Sequence, residues 1–481
     1  MKEIQNRIDK IIQKFQDITS NEISENYFID CKDIDLEAQD IGKYILASRN
    51  FDKEIKFDDD VIVFVTSFVL RNGGHTRQLE DYVDIYKNYN KKCVIIITQP
   101  KISHPEIIDN FKNKGVDILL CDKNSWVEKI SQLQEYLIFT KAAQMFVLTG
   151  VDVVTISGIQ KELVKKLYWN LNCDYSLSIG VHVPYITKIL VFRPYLMHYL
   201  ANKICIDTEK LVFIPLSKMT NSINTVYNNN IKNKKIITAS STSNRSKITD
   251  NYIYKYIDII PEVIKITMGQ HIHIGDISCD QVMCIKNKLS KYEISENSFI
   301  VIKHVPNLAD FMLDNGVNIL INTFPVFGGL TQIEAMKTGI KVVSHRHAYS
   351  HLLNPEDMLY PNSFAWSKPE DLYEYLKSIT INDIEKEGIL IKDFYLQNLS
   401  SLDKYILAND IIGKDIDYDY ILKKYSYSVD YCNYILNINQ NCLKFSKKFK
   451  LIAIKRKIKL LLNKIGLLDF FINIKKLIQK K

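Results

Sequence analysis

NTFPVFGGLTQIEAMKTGIKVVS, residues 322–344, reads as the end of a strand, a glycine-rich turn, a helix, a glycine stop at Gly339 and a second β-branched strand. Two strands joined through a helix of this length imply a parallel, helix-covered pair. Gly328 and Gly329 let backbone N–H groups approach a ligand closely. The helix that follows aims its positive end at the same point, an arrangement that favours a pyrophosphate. Glu334, early in that helix, stands where a carboxylate accepts two hydrogen bonds from a ribose diol. An ordinary βα turn with an acid near the helix N-terminus has the same pattern, so the stretch alone leaves both readings open.

Outward from it, strands and helices alternate. Upstream, strands are expected at 235–239, 271–274, 299–302 and 317–321, with helices near 249–265, 280–289 and 307–313. The first half repeats the theme. The apolar run 61–68 suits a strand buried on both faces, a helix follows Gly74, and strands are expected at 93–97, 116–121 and 151–156. Helices are expected near 105–113 and 126–147, and the short apolar runs 189–192 and 211–215 read as the last strands of this half. An Asn-rich stretch, 221–234, reads as a linker. The expected fold class is α/β: two Rossmann-like parallel-sheet domains facing a cleft, with an N-terminal helix and C-terminal basic amphipathic helices. Expected boundaries are an N-terminal helical or irregular segment 1–55, a first α/β domain 56–222, a second 223–400 and a helical region 401–481. In the N-terminal helix, Ile4, Ile8, Ile11, Ile12 and Phe15 share one face.

Of the 481 residues, 46% are hydrophobic and 25% charged, enough for more than one buried core. The nine cysteines include no CxxC pair, and their odd number argues against a closed disulfide framework, so reduced thiols are expected. Cys93 and Cys205 both sit in apolar, strand-like runs. The first twenty residues are charged throughout and do not read as a secretory signal, and no apolar run is long enough to predict a membrane-spanning helix. The net charge of +8 is unevenly shared: residues 444–481 hold twelve Lys, one Arg and one Asp, which leaves the remainder at about −4. In that tail Leu451, Ile454, Ile458, Leu461, Leu462, Ile465 and Leu468 recur at three- and four-residue spacing, while Lys455, Arg456, Lys457, Lys459 and Lys464 lie largely off their face. A Lys-rich amphipathic helix suits an anionic membrane surface. The same charge suits nucleic acid, but the regular apolar face favours the membrane, so no nucleic-acid partner is expected.

Other residues could carry chemistry. In Ser243-Asn-Arg-Ser-Lys-Ile-Thr249, Arg245 and Lys247 could stabilise negative charge on a leaving diphosphate, or simply belong to a solvated loop. In Arg71-Asn-Gly-Gly-His-Thr-Arg77, Gly73 and Gly74 allow close backbone approach, His75 is a candidate base or hydroxyl ligand, and Arg77 could reach a phosphate. His182 lies on an apolar segment, where a satisfied buried histidine is the commoner case. The cluster His345-Arg-His-Ala-Tyr-Ser-His351 lacks an acid or Cys, so contacts to sugar or phosphate, or a plain surface loop, suit it better than metal. No Asp-x-Asp metal motif stands in a convincing loop; Asp58-Asp-Asp60 is one candidate, but it precedes the first buried strand.

Taken in order, these segments resemble the donor half of GT-B glycosyltransferases, particularly families 4 and 41. The run 322–344 is similar to the donor-site segment of those families, 243–249 to the Asn…Lys-Ile segment of the O-GlcNAc transferase family, and His304-Val-Pro-Asn-Leu-Ala-Asp310 to that family's turn around the uracil base. The resemblance implies that Glu334 holds the ribose, that Gly328, Gly329, Leu330 and Thr331 cradle the diphosphate, that Lys247 neutralises it and that His304 lies by the base. It departs at Val326, where family 4 carries a second Glu, and at Gly329 and Leu330, where family 41 has His-Thr. The implied activity is that of a hexosyl- or N-acetylhexosaminyl-transferase. It would use a nucleotide-sugar, of UDP type, as substrate, with no metal or other cofactor. From the basic tail alone, and not from the resemblance, the expected acceptor is an envelope glycan or lipid-linked molecule and the expected location the cytoplasmic face of a membrane. A non-catalytic GT-B protein that binds a partner transferase or glycan, and a nucleotide-sugar epimerase on the same scaffold, are the alternatives.

Overall fold

The computed structural model describes residues 2–20, 31–49, 54–71, 74–148, 152–171, 179–202, 204–214, 216, 235–348 and 354–400. Gly73, the linker 221–234 and everything from 401 onward, including the basic tail, lie outside the described residues.

The first lobe comprises α1 (Lys2–Ser20), α2 (Lys32–Ala47), β1 (Asp58–Thr66), α3 (Gly74–Asn88), β2 (Lys92–Ile97), α4 (Pro105–Asn113), β3 (Asp117–Leu120), α5 (Trp126–Thr140), β4 (Ala142–Leu148), α6 (Val153–Gly158), β5 (Lys166–Leu171), β6 (Lys188–Val191), α7 (Pro194–Asn202) and β7 (Leu211–Phe213). The second comprises β8 (Thr238–Thr242), α8 (Tyr256–Thr267), β9 (His271–Gly275), α9 (Cys279–Lys291), β10 (Phe299–Ile302), α10 (Leu308–Asp314), β11 (Ile319–Ile321), α11 (Gly329–Lys337), β12 (Lys341–His345), β13 (Ala365–Trp366), α12 (Pro369–Ser378) and α13 (Ile381–Asn398).

All described strand pairs are parallel. The sheet orders are β3-β2-β1-β4-β5-β6-β7 and β10-β9-β8-β11-β12-β13. In each, the chain builds outward to one side of the first strand and then returns to its other side. The switch points therefore fall between β1 and β4, and between β8 and β11. Crevices open at the carboxyl ends of strands at such points, and ligands of open α/β sheets bind there.

Strand β1 shows why the apolar runs form a central strand. Val61, Val63 and Val65 face one core, with α1 and α2. Ile62 and Phe64 face the other, with α3. Ile4, Ile8 and Ile11 of α1 meet Ile34, Ala38 and Ile41 of α2 in the first of these cores, so the N-terminal helices cover one face of the first sheet. The other core runs unbroken into the second lobe, joining Phe192, Val212 and Ile214 to Phe327, Met358 and Leu359. Among the described residues, no helix is long and apolar enough to cross a membrane.

Two expectations need correction. The helix read over 126–147 ends at Thr140: Lys141 adopts a left-handed backbone (φ 52°) and closes it. Residues 142–148 form β4, and the strand expected at 151–156 is instead α6, whose first turn Asp152 caps by accepting from Thr155 N. The β-branched run Val-Val-Thr-Ile looked like strand, but a local cap and an adjacent true strand overrode propensity. Cys93 is buried in β2 as expected, whereas Cys205 is exposed at a positive φ of 59° beyond α7.

Candidate functional site

The second switch point brings two turns together. After β8, Asn244 caps a short 3-10 turn, Arg245–Ile248, by accepting from Ser246 N at 3.0 Å. That turn directs Lys247 across the sheet edge, where its Nζ donates to Phe327 O at 3.0 Å. Phe327 belongs to the turn after β11, which Asn322 organises. The Asn322 Oδ1 accepts from Thr323 N at 2.9 Å and from Gly328 N at 2.8 Å, and its Nδ2 donates to Gln332 Oε1 at 2.7 Å. The Thr323 hydroxyl donates to Val326 O at 2.7 Å, and the Phe324–Pro325 bond is cis.

Gly328 caps α11, whose first α-type bond runs from Gln332 N to Gly328 O. The N–H groups of Gly329, Leu330 and Thr331 therefore precede the helical ladder and point along the axis, where the dipole favours negative charge. A cation and three helix-opening amides thus surround one turn, a combination suited to a phosphate or diphosphate. A side chain at Gly328 would meet Thr331 Oγ1 at 2.9 Å, so the close backbone approach depends on glycine there. Glu334 is buried further along the same helix.

The first switch point faces this turn. Gly74 opens α3, and a Cβ built on it would lie 3.2 Å from Leu330 Cδ1, so the two glycine turns meet across the cleft. His75 follows, its ring edge-on to Phe68 at 5.3 Å. At the end of β4, Asp152 ties three loops together. Its Oδ2 accepts from Ser67 Oγ, Thr98 Oγ1 and Gln99 Nε2 at 3.0, 2.5 and 2.8 Å, and its Oδ1 from Thr155 N at 2.8 Å. The carboxyl ends of β1, β2 and β4 are fixed in this way.

Lys247, Gly328, Gly329, Leu330, Thr331 and Gly74 gather at the cleft, with His75 next to Gly74 and Glu334 buried further along α11; most of the other candidates make contacts of their own. Arg245 is exposed and donates to Asp276 at 2.8 Å, which raises its pKa. Arg77 pairs with Glu80 along its own helix at 2.8 Å. His304 is exposed in the turn after β10. His182 donates its backbone N–H to Asp35 of α2 at 3.1 Å, on the helix-covered face of the first sheet. Asp58–Asp60 stand at the amino end of β1, where Asp59 and Asp60 pair with Lys165 and Lys91.

The reading of 345–351 as a surface loop or a sugar or phosphate contact is overturned at its head. His345 is buried, its ring tilted 35° against Trp366 at 4.0 Å, donating from Nδ1 to Trp366 O and accepting at Nε2 from Tyr252, and burial pushes its pKa down to about 3. His351 lies outside the described residues. Among the described residues, no group of three or more His, Cys, Asp or Glu side chains could hold a metal ion.

Sequence reasoning missed Asn322, Asp152 and Arg193. The first two carry a usable signal, a short polar side chain at a strand end before a helix. Arg193 carries none: its partner Asp357 is distant in sequence and in the other lobe, 2.8 Å away.

No protein-family model matches the chain, and no curated protein matches it. Solved structures do. A glycosyltransferase from Rickettsia africae ESF-5 is 14% identical, with a TM-score of 0.55 over 76% of this chain and 100% of its own. A point mutant of S. aureus TarM, in complex with fondaparinux, α-GlcNAc-glycerol and UDP, is 10% identical, with a TM-score of 0.53 over 76% and 98%. WaaG, a glycosyltransferase involved in lipopolysaccharide biosynthesis, is 12% identical, with a TM-score of 0.51 over 74% and 100%. With two parallel-sheet lobes, paired switch points and these neighbours, the chain has the GT-B fold of glycosyltransferases.

Proposed function

We propose that the protein is a glycosyltransferase that moves a sugar from a nucleotide-sugar, of UDP type, to an envelope glycan or lipid-linked acceptor. The observation that carries this is the meeting of Lys247 with the amide-rich start of α11 at the second switch point, opposite Gly74. The bond from the sugar's anomeric carbon to the diphosphate oxygen breaks, and its electron pair stays on the diphosphate. Lys247 and the N–H groups of 329–331 stabilise that growing charge more than the ground state, which lowers the barrier. This asks for no metal. Glu334 holds the ribose and His304 lies by the base. Arg245 stays outside this grip, its charge largely offset by its partner Asp276.

The acceptor hydroxyl enters beside Gly74 and His75, forms the new bond to the anomeric carbon and gives its proton to His75. The UDP held by TarM and the lipopolysaccharide role of WaaG support the choice of donor and acceptor class. The basic, amphipathic sequence 444–481 supports a place at an anionic membrane surface on the cytoplasmic side.

A calorimetric screen of nucleoside diphosphates and nucleotide-sugars tests the reading. UDP should bind, and Lys247→Ala should weaken it roughly 10- to 100-fold, the scale of one lost charge-assisted contact. Glu334→Ala should weaken UDP but leave inorganic pyrophosphate unchanged. UDP binding that neither substitution affects would reject the site. Turnover of UDP-sugar to free sugar epimer, without acceptor, would instead favour an epimerase.

A further inference from the structure

We propose that Arg193 is a positioning residue for the diphosphate-binding turn, supplied by the first lobe so that donor grip depends on how the two lobes are seated. The proposal rests on the glycosyltransferase reading for its ligand, but on geometry for its contact.

Arg193 follows β6, at the carboxyl edge of the first sheet, with Pro194 opening α7 immediately after it. Its Nε donates to both carboxylate oxygens of Asp357, at 3.0 and 3.1 Å. Its Nη2 donates to Asp357 Oδ1 at 2.8 Å and to Asn354 O at 2.6 Å. The two side chains are 3% and 2% exposed. The guanidinium carbon also lies 5.5 Å from the centre of the Phe327 ring. Phe327 is the residue whose carbonyl receives Lys247 and whose successor, Gly328, caps α11.

A buried ion pair is a poor way to gain stability, because desolvating two charges offsets most of their attraction; its best-attested use is to fix one arrangement against others. A planar fork that meets a carboxylate on two atoms while facing an aromatic ring admits little freedom. Here the arrangement fixed is that of one lobe against the other, and the ring it faces is part of the turn that carries Gly328. The segment holding Asp357 is clamped on its other side as well, by an exposed pair between Arg346 and Glu356 at 2.8 Å. The Arg193 pair crosses to Phe327.

The test uses the full chain, with UDP as probe and amide hydrogen exchange at residues 327–331 as a ligand-free readout. Arg193→Lys keeps the charge but loses the fork. Phe327→Leu keeps the ion pair but removes the ring. Both should speed exchange at Gly328, whose N–H is held by Asn322 Oδ1, and weaken UDP roughly tenfold. Arg346→Ala, which cuts the exposed pair and leaves Arg193 and Phe327 in place, should change neither. Unchanged exchange and unchanged UDP affinity in a folded Arg193→Lys protein overturn the proposal. Should that variant fail to fold, the same result in Phe327→Leu overturns it. A wild-type protein that binds no nucleoside diphosphate would sink the glycosyltransferase reading, while the exchange measurement would still decide the role of Arg193.

Discussion

Gly328 and Gly180 mark two different demands on a residue without a side chain. At Gly328 the backbone is ordinary, and a Cβ would press on Thr331 Oγ1 at 2.9 Å and Thr331 Cβ at 3.1 Å, at the opening of α11. The Thr331 hydroxyl has to turn away, so Gly328→Ala should fold with little loss of stability yet bind UDP roughly tenfold more weakly. At Gly180 the backbone is left-handed, φ +85°, and a Cβ would fall 1.8 Å from Trp169 Cζ2 in the middle of the first core. Gly180→Ala should cost about 4 kcal/mol or more, since both strain and overpacking act on a site that cannot move aside. Thermal melts and UDP titrations of the two proteins check this; a Gly180→Ala variant that melts with wild type, or a Gly328→Ala variant that binds like it, contradicts the respective account. The glycine pair at 328–329 was legible in the sequence because a turn and a helix flank it. Gly180 was not, because its constraint comes from Trp169, one strand away.

Among elements, β8, β9 and α8 share a buried hydrogen-bond chain whose direction the partners fix. Thr242 Oγ1 donates to Asp276 O at 2.8 Å, so it accepts from His273 Nε2 at 3.2 Å. The acceptor nitrogen of that ring, Nδ1, then takes the Tyr256 hydroxyl proton at 2.9 Å, and Tyr256 in turn accepts from His271 Nε2 at 2.8 Å. Thr238 Oγ1 completes the chain by donating to His271 Nδ1 at 2.8 Å. Both rings are neutral in this arrangement. Burial holds His271 well below its usual pKa, takes His273 down to about 4 and, in the neighbouring aromatic cluster, His345 down to about 3. A histidine with a folded pKa below its unfolded value leaves the unfolded chain binding more protons in acid. Stability is therefore complete above the unfolded value of about 6.5 and falls as pH drops through it. Between pH 7.5 and pH 5, above the usual carboxylate range, each of the three should remove about 2 kcal/mol. The urea midpoint measured across that interval checks this, and a flat midpoint would contradict it. The strands bearing these histidines were predicted from their apolar neighbours, but the chain was not, because Tyr256 enters it from a helix. The misread run 126–156 has the complementary cause: β4 opens on the helix-favouring Ala142-Ala-Gln-Met145, whereas the β-branched run 153–156 is turned into helix under the cap that Asp152 provides.

For the whole molecule, the two-lobe plan was legible because strand and helix periods alternate twice along the chain, with a polar stretch between. The Arg193–Asp357 contact was not, since nothing local to either residue names a partner in the other lobe. Charge distribution is the remaining large-scale feature, and it lies in sequence alone: +12 within residues 444–481 against about −4 in the rest. A mildly acidic body is repelled by an anionic surface, so any attraction has to come from the tail. Co-sedimentation with phosphatidylcholine vesicles, with and without phosphatidylserine, separates the contributions. The full chain should bind only the anionic vesicles, and binding should weaken steeply between about 0.1 and 1 M salt, as the screening length falls from about 10 to about 3 Å. Replacing Lys455, Arg456, Lys457 and Lys459 with Gln removes four charges while leaving the Leu and Ile positions intact. At about 1 kcal/mol per basic residue near the surface, affinity should drop about a thousandfold. If the variant binds as well as wild type, or if neutral vesicles bind equally, the tail is not an electrostatic anchor, and the case for a membrane-borne acceptor loses its sequence support. If the full chain prefers duplex DNA or RNA to anionic vesicles at the same salt, the charge serves nucleic acid and the apolar face needs another occupant.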